Sequence, residues 1–265
     1  MASFSVVSNV SAANAQANLN TTNIGLQKAL SRLSSGFRIN QAGDDAAGLA
    51  VANSYRSDQA VLNQGIRNAN DGLSTLQIQN GALDNISNLL DRLSTLASQS
   101  ASSGFTGSRT TLNAEFTSVV AEIGREVTVA GLATAQGFSV YVSAGSGGTV
   151  GGSIGAADTT TLGIAALDIS TAGGAATAVG AITTAVGTVG TVVGNVGAIQ
   201  NRLQYAVGLA QSQVVNKKAA ESRIRDANVA EESANMTRYN ILSQAGIAAL
   251  AQANNATSSV LALLR

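Results

Sequence analysis

The chain has 265 residues with 15 basic and 15 acidic side chains, and it contains no Cys, His, Pro or Trp. Without Cys or His it has no disulfide framework, no thiolate metal site and no imidazole base, so most familiar active sites are excluded. A formal net charge of zero gives no electrostatic footprint for nucleic acid or for an anionic membrane. We therefore expect protein partners and no cofactor. Because Pro is absent, long uninterrupted helices are permitted.

Both ends of the chain lack charge: no charged side chain occurs from Met1 to Gln27 or from Tyr239 to Leu264. Helical periodicity runs through both ends, and each helix would be roughly 40 Å long, so the two are predicted to pair along their whole length. Their opposite faces carry amides and hydroxyls, which suits burial against further copies of the chain. The predicted apolar seams are Ala12, Leu19, Leu26, Leu30, Leu33 and Phe37 at one end, and Tyr239, Leu242, Gly246, Ala249, Ala253, Ala256, Val260 and Leu263 at the other.

A long helix is predicted from about Asp44 to Ser100. Asp44 and Asp45 are well placed to cap its first amides. Local rules favour a turn at Asn70-Asp71-Gly72, but the apolar seam passes through that tripeptide in phase. We therefore predict one continuous helix whose packing overrides its local propensity.

The middle of the chain changes character. After a Gly-containing link, Leu112, Phe116, Val119 and Ile123 form the stripe of a shorter helix. Alternation at Phe138, Val140 and Val142 then predicts a strand, and residues 143–155 are typical of a turn-rich hairpin. The run Gly145-Ser146-Gly147-Gly148 lacks a following Lys, so it is interpreted as a turn and not as a phosphate loop.

A Gly-rich helix is predicted from about Ala175 to Ala220. Gly and Val favour helix weakly, so packing must stabilise this segment. Its glycine stripe, which consists of Gly187, Gly190, Gly194 and Gly197, is predicted to let the helix sit deep against its neighbours. A transmembrane helix is the alternative, but interspersed Thr, Asn and Gln residues disfavour it.

Motifs near both ends resemble bacterial flagellins. The N-terminal motifs are LSRLSSGFRIN at residues 30–40, DDAAG at 44–48 and RNANDG at 67–72. The C-terminal motifs are SRIRDAN at residues 222–228, ILSQAG at 241–246, LAQAN at 250–254 and LLR at 263–265. The two regions occur in the expected order at both ends and together cover well over half the chain.

This resemblance implies a mainly α fold: a long antiparallel coiled coil or bundle built from the N- and C-terminal segments, with a small β-hairpin in mid-chain. It implies an inner domain and spokes from residues 1–40 and 223–265. The outer domain would comprise helices at 41–130, a hairpin region at 131–172 and a helix at 173–222. The middle is too short for further surface domains.

The resemblance also implies a function and partners. The chain would polymerise with itself into an extracellular filament for motility, after type III export without a cleaved signal peptide. Expected partners are an export chaperone, the cap and the hook-associated proteins, with no nucleic acid and no membrane insertion. The flagellin-sensing Toll-like receptor is a further expected partner through Arg92, Leu96, Gln99 and Glu122, although Asp91 and Thr95 depart from the family pattern.

The sequence leaves three alternative functions. A hook-filament junction protein would share the paired terminal helices but would not form long filaments alone. A Gly-zipper membrane helix is the more remote alternative. An enzyme would need a cluster of buried polar groups, and Asp44 and Asp45 are better explained as a helix cap than as a catalytic pair.

Overall fold

The computed structural model describes residues 8–144 and 147–263, with side chains described as far as residue 255. Within these residues five helices and one two-stranded antiparallel sheet occur, which confirms the mainly α fold with a small hairpin. The elements are α1 (Val10–Ser35), α2 (Ala46–Ala101), α3 (Arg109–Val129), β1 (Gln136–Tyr141), β2 (Thr149–Ile154), α4 (Ala172–Arg225) and α5 (Val229–Leu263).

The chain divides into two compact units. The first comprises Met1–Ser57 and Asn216–Arg265, and the second comprises Asp58–Val215. The sequence-based boundaries after residue 40 and before residue 223 differ from these limits. In the first unit the beginning of α2 packs closely, because Gly48 lies against Ile39 and Ala52 is buried.

In the second unit α2 continues without a break through Asn70-Asp71-Gly72, as predicted. Two glycines on α2 explain why packing prevails there. A Cβ at Gly72 would lie 2.8 Å from Val140 Cγ2, and a Cβ at Gly65 would lie 1.7 Å from the carbonyl oxygen of Val142. The hairpin therefore rests directly on the α2 backbone, and a turn at Gly72 would remove its support.

The hairpin pairs β1 with β2 from Gln136 opposite Ile154 to Tyr141 opposite Thr149. Gly147 has a φ of 98°, which is consistent with a turn, whereas Gly145 and Ser146 of the predicted turn lie outside the described residues. The hairpin contributes buried side chains to one core shared with three helices. Its largest fully buried members include Leu76, Leu83, Ile86, Leu90, Leu93, Phe116, Ile123, Leu132, Ile154 and Ile164.

Hydrogen bonds tie the segment before α4 to α2 and α3. The buried Ser100 hydroxyl donates to the carbonyl oxygen of Ile169 at 2.6 Å, and the Asn113 side chain accepts the Ile169 amide at 2.9 Å. Ser108 caps α3 by accepting the amide of Thr111. The polar groups of this non-helical segment thus find partners inside the unit.

One prediction about α4 is wrong. Its buried stripe consists of Ala175, Ala178, Ile182, Ala185, Val189, Val192, Val196, Ile199, Leu203 and Ala210. Space is open around the positions where Gly187, Gly190, Gly194 and Gly197 would carry a Cβ. The glycine stripe thus lies away from the buried stripe, and branched side chains make the close packing. Exposed threonines beside the glycines bond back to helix carbonyls, as Thr183 does to Val179.

Helix α4 is also long and apolar enough, by length and composition, to cross a membrane, with a mean hydropathy of 1.6 over its most apolar stretch. A core helix can meet the same criterion. Here 28% of that stretch is buried, and its buried residues belong to the core of the second unit.

Two glycines of α2 provide a matched test of this packing. We expect Gly65→Ala to lower the free energy of unfolding by about 1–3 kcal/mol, because the new methyl group meets the Val142 carbonyl. Gly81 has open space around it and is exposed, so Gly81→Ala should raise stability by up to about 1 kcal/mol. Urea unfolding followed by circular dichroism measures both, and equal effects of the two substitutions would contradict the account.

Candidate self-assembly site

Helices α1 and α5 pack side by side in the first unit. Near the start of α1, the Asn9 side chain donates to the carbonyl oxygen of Ala253 at 2.9 Å. Near the end of α1, Arg32 donates to Glu232 at 3.1 Å. Residues late in α5 thus meet residues early in α1, so the helices run antiparallel. We call α1 and α5 together the helix pair.

Glycines bring the two helices close at two points. A Cβ at Gly25 would lie 2.6 Å from Cζ of Tyr239, so the tyrosine ring lies directly over the glycine. A Cβ at Gly246 would lie 3.2 Å from Cδ1 of Leu19. In each case a large side chain of one helix fills the space left by a glycine of the other, as knobs fill holes in a coiled coil.

The structure brings together part of the predicted seam. Half-buried positions include Leu19, Leu26, Leu33, Tyr239, Gly246 and Ala253. Leu242 is 45% exposed and Ala249 is exposed, whereas their neighbours Ser243 and Leu250 are half-buried. The side chains of Val260 and Leu263 lie outside the described residues.

The difference at Leu242 and Ala249 has a simple cause. Tyr239, Gly246 and Ala253 lie seven residues apart along the seam. The seam residue between them can lie three residues further on, at Leu242 and Ala249, or four residues further on, at Ser243 and Leu250. Hydrophobicity favours Leu242 over Ser243 as the seam residue, but in the structure Ser243 and Leu250 are the half-buried positions. On α1 the sequence likewise favoured Leu30, whereas the fully buried residue is Ala29, a small side chain with a weak hydrophobic signal.

Large apolar side chains remain uncovered on the helix pair. Ile241 is 61% exposed, and Ile24, Leu30, Leu242 and Ile247 are also exposed. No charged side chain interrupts α1 before Lys28 or α5 after Arg238. An apolar surface without like charges that repel is typical of a surface that another protein covers. We call these five exposed side chains the outer apolar set.

At one end of the helix pair, a short β-bridge joins the segment that follows α1 to the segment that precedes α5. Gly36, with a φ of 75°, ends α1, and Phe37 then pairs with Asp226. The Arg38 amide donates to the Arg225 carbonyl oxygen at 2.6 Å. The Arg225 guanidinium lies 4.2 Å from the centroid of the Phe37 ring, a cation–π contact. These contacts hold the segment after α1 against the segment before α5.

The first unit also contains a cavity of about 380 Å³ beside α1, lined by Lys28, Arg32, Asn40 and Asp44 among others. Its charged groups already have partners. Asp44 lies 3.9 Å from Lys28 and accepts the amides of Asn40 and Gln41, while Asp45 caps α2 by accepting the amide of Gly48. Within the described part of the chain, no group of three acidic, His or Cys residues could hold a metal ion.

The four residues expected to contact the innate receptor differ in exposure. Arg92 is exposed and pairs with Glu115 on α3, with Nε 3.0 Å from the carboxylate. Gln99 is exposed, but Leu96 is only 2% exposed and belongs to the core. Glu122 bonds to Arg125, which holds the pKa of the Glu122 carboxyl below its ordinary value. Arg92, Gln99 and Glu122 are therefore accessible at the surface, whereas Leu96, which lies between Arg92 and Gln99 on α2, is buried.

Comparisons with known proteins agree with the resemblance. Residues 6–131 match the model of the bacterial flagellin N-terminal helical region, and residues 179–264 match that of the C-terminal helical region. A flagellin of Halalkalibacterium halodurans is 38% identical over 97% of this chain and 98% of its own. A flagellin of Treponema pallidum is 34% identical over the same shares of the two chains. A crystal structure of Bacillus cereus flagellin covers 58% of this chain and 94% of its own, at 27% identity and a TM-score of 0.48.

Proposed function

Because the chain belongs to the bacterial flagellin family, it is a structural subunit of the extracellular flagellar filament, and we propose that the outer apolar set of its helix pair contacts neighbouring subunits. Family members polymerise with themselves into filaments that serve motility. The hook-filament junction alternative has no support, since the similar proteins are flagellins and filament core proteins.

The exposed state of Ile241 carries this proposal. Full burial of an Ile side chain stabilises association by about 1.5–3 kcal/mol, so several such side chains repeated along a polymer would give a substantial driving force. Amides and hydroxyls between them can bond across an interface without the cost of burying a charge. The predicted seam residues Leu242 and Ala249 then belong to contacts between subunits, and not to the contact within one chain.

The partners expected before assembly follow from the same surface. Until a subunit joins the filament, the exposed apolar side chains of α5 need a cover, which an export chaperone would supply. The cap and the hook-associated proteins would meet the same surface at the two ends of the filament. The subunit would leave the cell by type III export, without a cleaved signal peptide.

A substitution inside the helix pair tests the proposal. Gly25→Ala places a methyl group against the Tyr239 ring, so the helices should separate and filament formation should be lost. Gly81→Ala, in which the same added methyl group meets open space, is the matched control and should assemble normally. Sedimentation of polymer from purified subunits, with electron microscopy of the pellet, is the measurement.

A second variant separates a steric effect from a loss of helix stability. Adding Tyr239→Ala to Gly25→Ala removes the ring that the methyl group meets, and part of the polymer should return. Filaments of Gly25→Ala at the yield of the unchanged chain would show that close packing of the helix pair is not needed for assembly.

Recognition by the flagellin-sensing Toll-like receptor is proposed through a smaller set of residues than the sequence suggested. Arg92 and Gln99 are exposed on one helix, and Glu122 is partly exposed on another. Leu96 cannot contact a partner without unfolding the core. We expect Arg92→Ala to reduce activation of receptor reporter cells, whereas Arg67→Ala, an exposed control on α2, should not. Equal activation by both variants and the unchanged chain would contradict this contact.

A further inference from the structure

Similar residues repeat along the contact surface of the helix pair, so they define its register, the position of α1 along α5, only weakly. The facing positions on α5 include Ser243, Gly246 and Ala253, and those on α1 include Ala12 and Ala15. A slip of seven residues, about 10 Å along the axis, would again bring small uncharged side chains face to face. Packing of small residues alone therefore discriminates poorly between the native register and a slipped one.

One ion pair is the exception in this otherwise uncharged contact. Arg32 Nη1 lies 3.1 Å from Glu232 Oε1, and Glu232 is only 8% exposed. The Nε of Arg32 is buried without a hydrogen-bond partner. Among the residues that the structure describes, no other ion pair joins α1 to α5. A nearly buried carboxylate in an otherwise uncharged contact needs its cation, because an unpaired charge there is strongly unfavourable.

Local structure holds both partners of this ion pair in place. Asn228 caps α5 by accepting the amides of Ala230 and Glu231, which sets the position of Glu232 in the first turn. Arg32 lies in the last turn of α1, where its carbonyl oxygen accepts the amide of Gly36. The pair therefore couples the end of one helix to the beginning of the other, next to the β-bridge.

We propose that the Arg32–Glu232 ion pair sets the register of the helix pair. A slip by one heptad separates the two charges by about 10 Å and brings Arg32 to the level of Tyr239 in one direction or of Arg225 in the other. The Gly25–Tyr239 contact also favours the native register, but a displaced tyrosine ring can still lie against small residues or extend into water. A slip also opens the Phe37–Asp226 bridge, but backbone groups freed there can bond to water, whereas the nearly buried Glu232 carboxylate would lose its cation.

Register matters for the proposed function because the outer apolar set is built from both helices. A shift of about 10 Å moves Ile241 and Ile247 relative to Ile24 and Leu30, so the combined surface no longer repeats correctly from copy to copy. The register proposal concerns a contact within one chain. It can therefore fail while the proposed intersubunit contact holds, and the reverse is also true.

The absence of Cys makes register directly measurable, since each introduced pair of cysteines is the only one in the chain. The Asn23 and Ser243 side chains lie 3.5 Å apart, so N23C/S243C reports the native register. N23C/M236C and N23C/L250C report slips of one heptad in the two directions. Each reporter is oxidised in sedimented filaments and in soluble full-length chain, and non-reducing gel mobility separates intramolecular from intermolecular disulfides.

The deciding variant replaces both charges by apolar side chains, R32M/E232L. Such replacements often preserve stability, so they remove the specificity of the pair while keeping the helices together. In the unchanged background, the native reporter should exceed the slipped ones by more than about tenfold. In R32M/E232L that preference should be lost, and in the exchanged pair R32E/E232R it should return, while R32E alone should lose it.

Two results would overturn the proposal. One is a dominant native reporter in R32M/E232L, which would assign register to the Gly25–Tyr239 contact or to the Phe37–Asp226 bridge. The other is the absence of all three disulfides in R32M/E232L, which would mean that the ion pair holds the helices together and does not choose between registers. Filament yield is measured separately and reports on the proposed function.

Discussion

Pairing of α1 with α5 is the interaction on which the rest of this structure depends. Each helix is uncharged over most of its length and would expose an apolar stripe if it stood alone. Packing one stripe on the other covers only part of this surface, because Ile241, Ile247 and other large side chains remain in contact with water. A chain with this arrangement is suited to association with copies of itself, which is what its family does.

Glycine has two different uses in the chain. At Gly25, Gly65 and Gly72 it makes room for a side chain or a carbonyl oxygen of a neighbouring element, so even a methyl group would be too large. Along α4, Gly187 and Gly190 face open space, and the helix is held by branched side chains on another face. Spacing alone cannot separate these uses, because Gly65 and Gly72 are seven residues apart, as are Gly187 and Gly194, yet only the first two lie against a neighbouring element.

Much of the fold could be predicted because its causes are local or periodic. The continuity of α2 through Gly72 follows from its long apolar seam, against the local turn signal, whereas the cap at Asp45 and the hairpin follow from patterns of a few residues. The phase of the α5 seam and the burial of Ala29 could not be predicted, since they depend on how two surfaces of similar composition meet. The Arg32–Glu232 contact joins residues far apart in sequence, and neither has a local signal of pairing.

The central claim is that neighbouring subunits cover the outer apolar set of the helix pair. Its most direct test is an electron cryo-microscopy reconstruction of filaments grown from this chain, at a resolution that shows side chains. The account predicts that α1 and α5 lie antiparallel and that Ile24, Ile241 and Ile247 contact other copies. A filament in which these side chains face water, or in which α1 and α5 of one chain are apart, would contradict it.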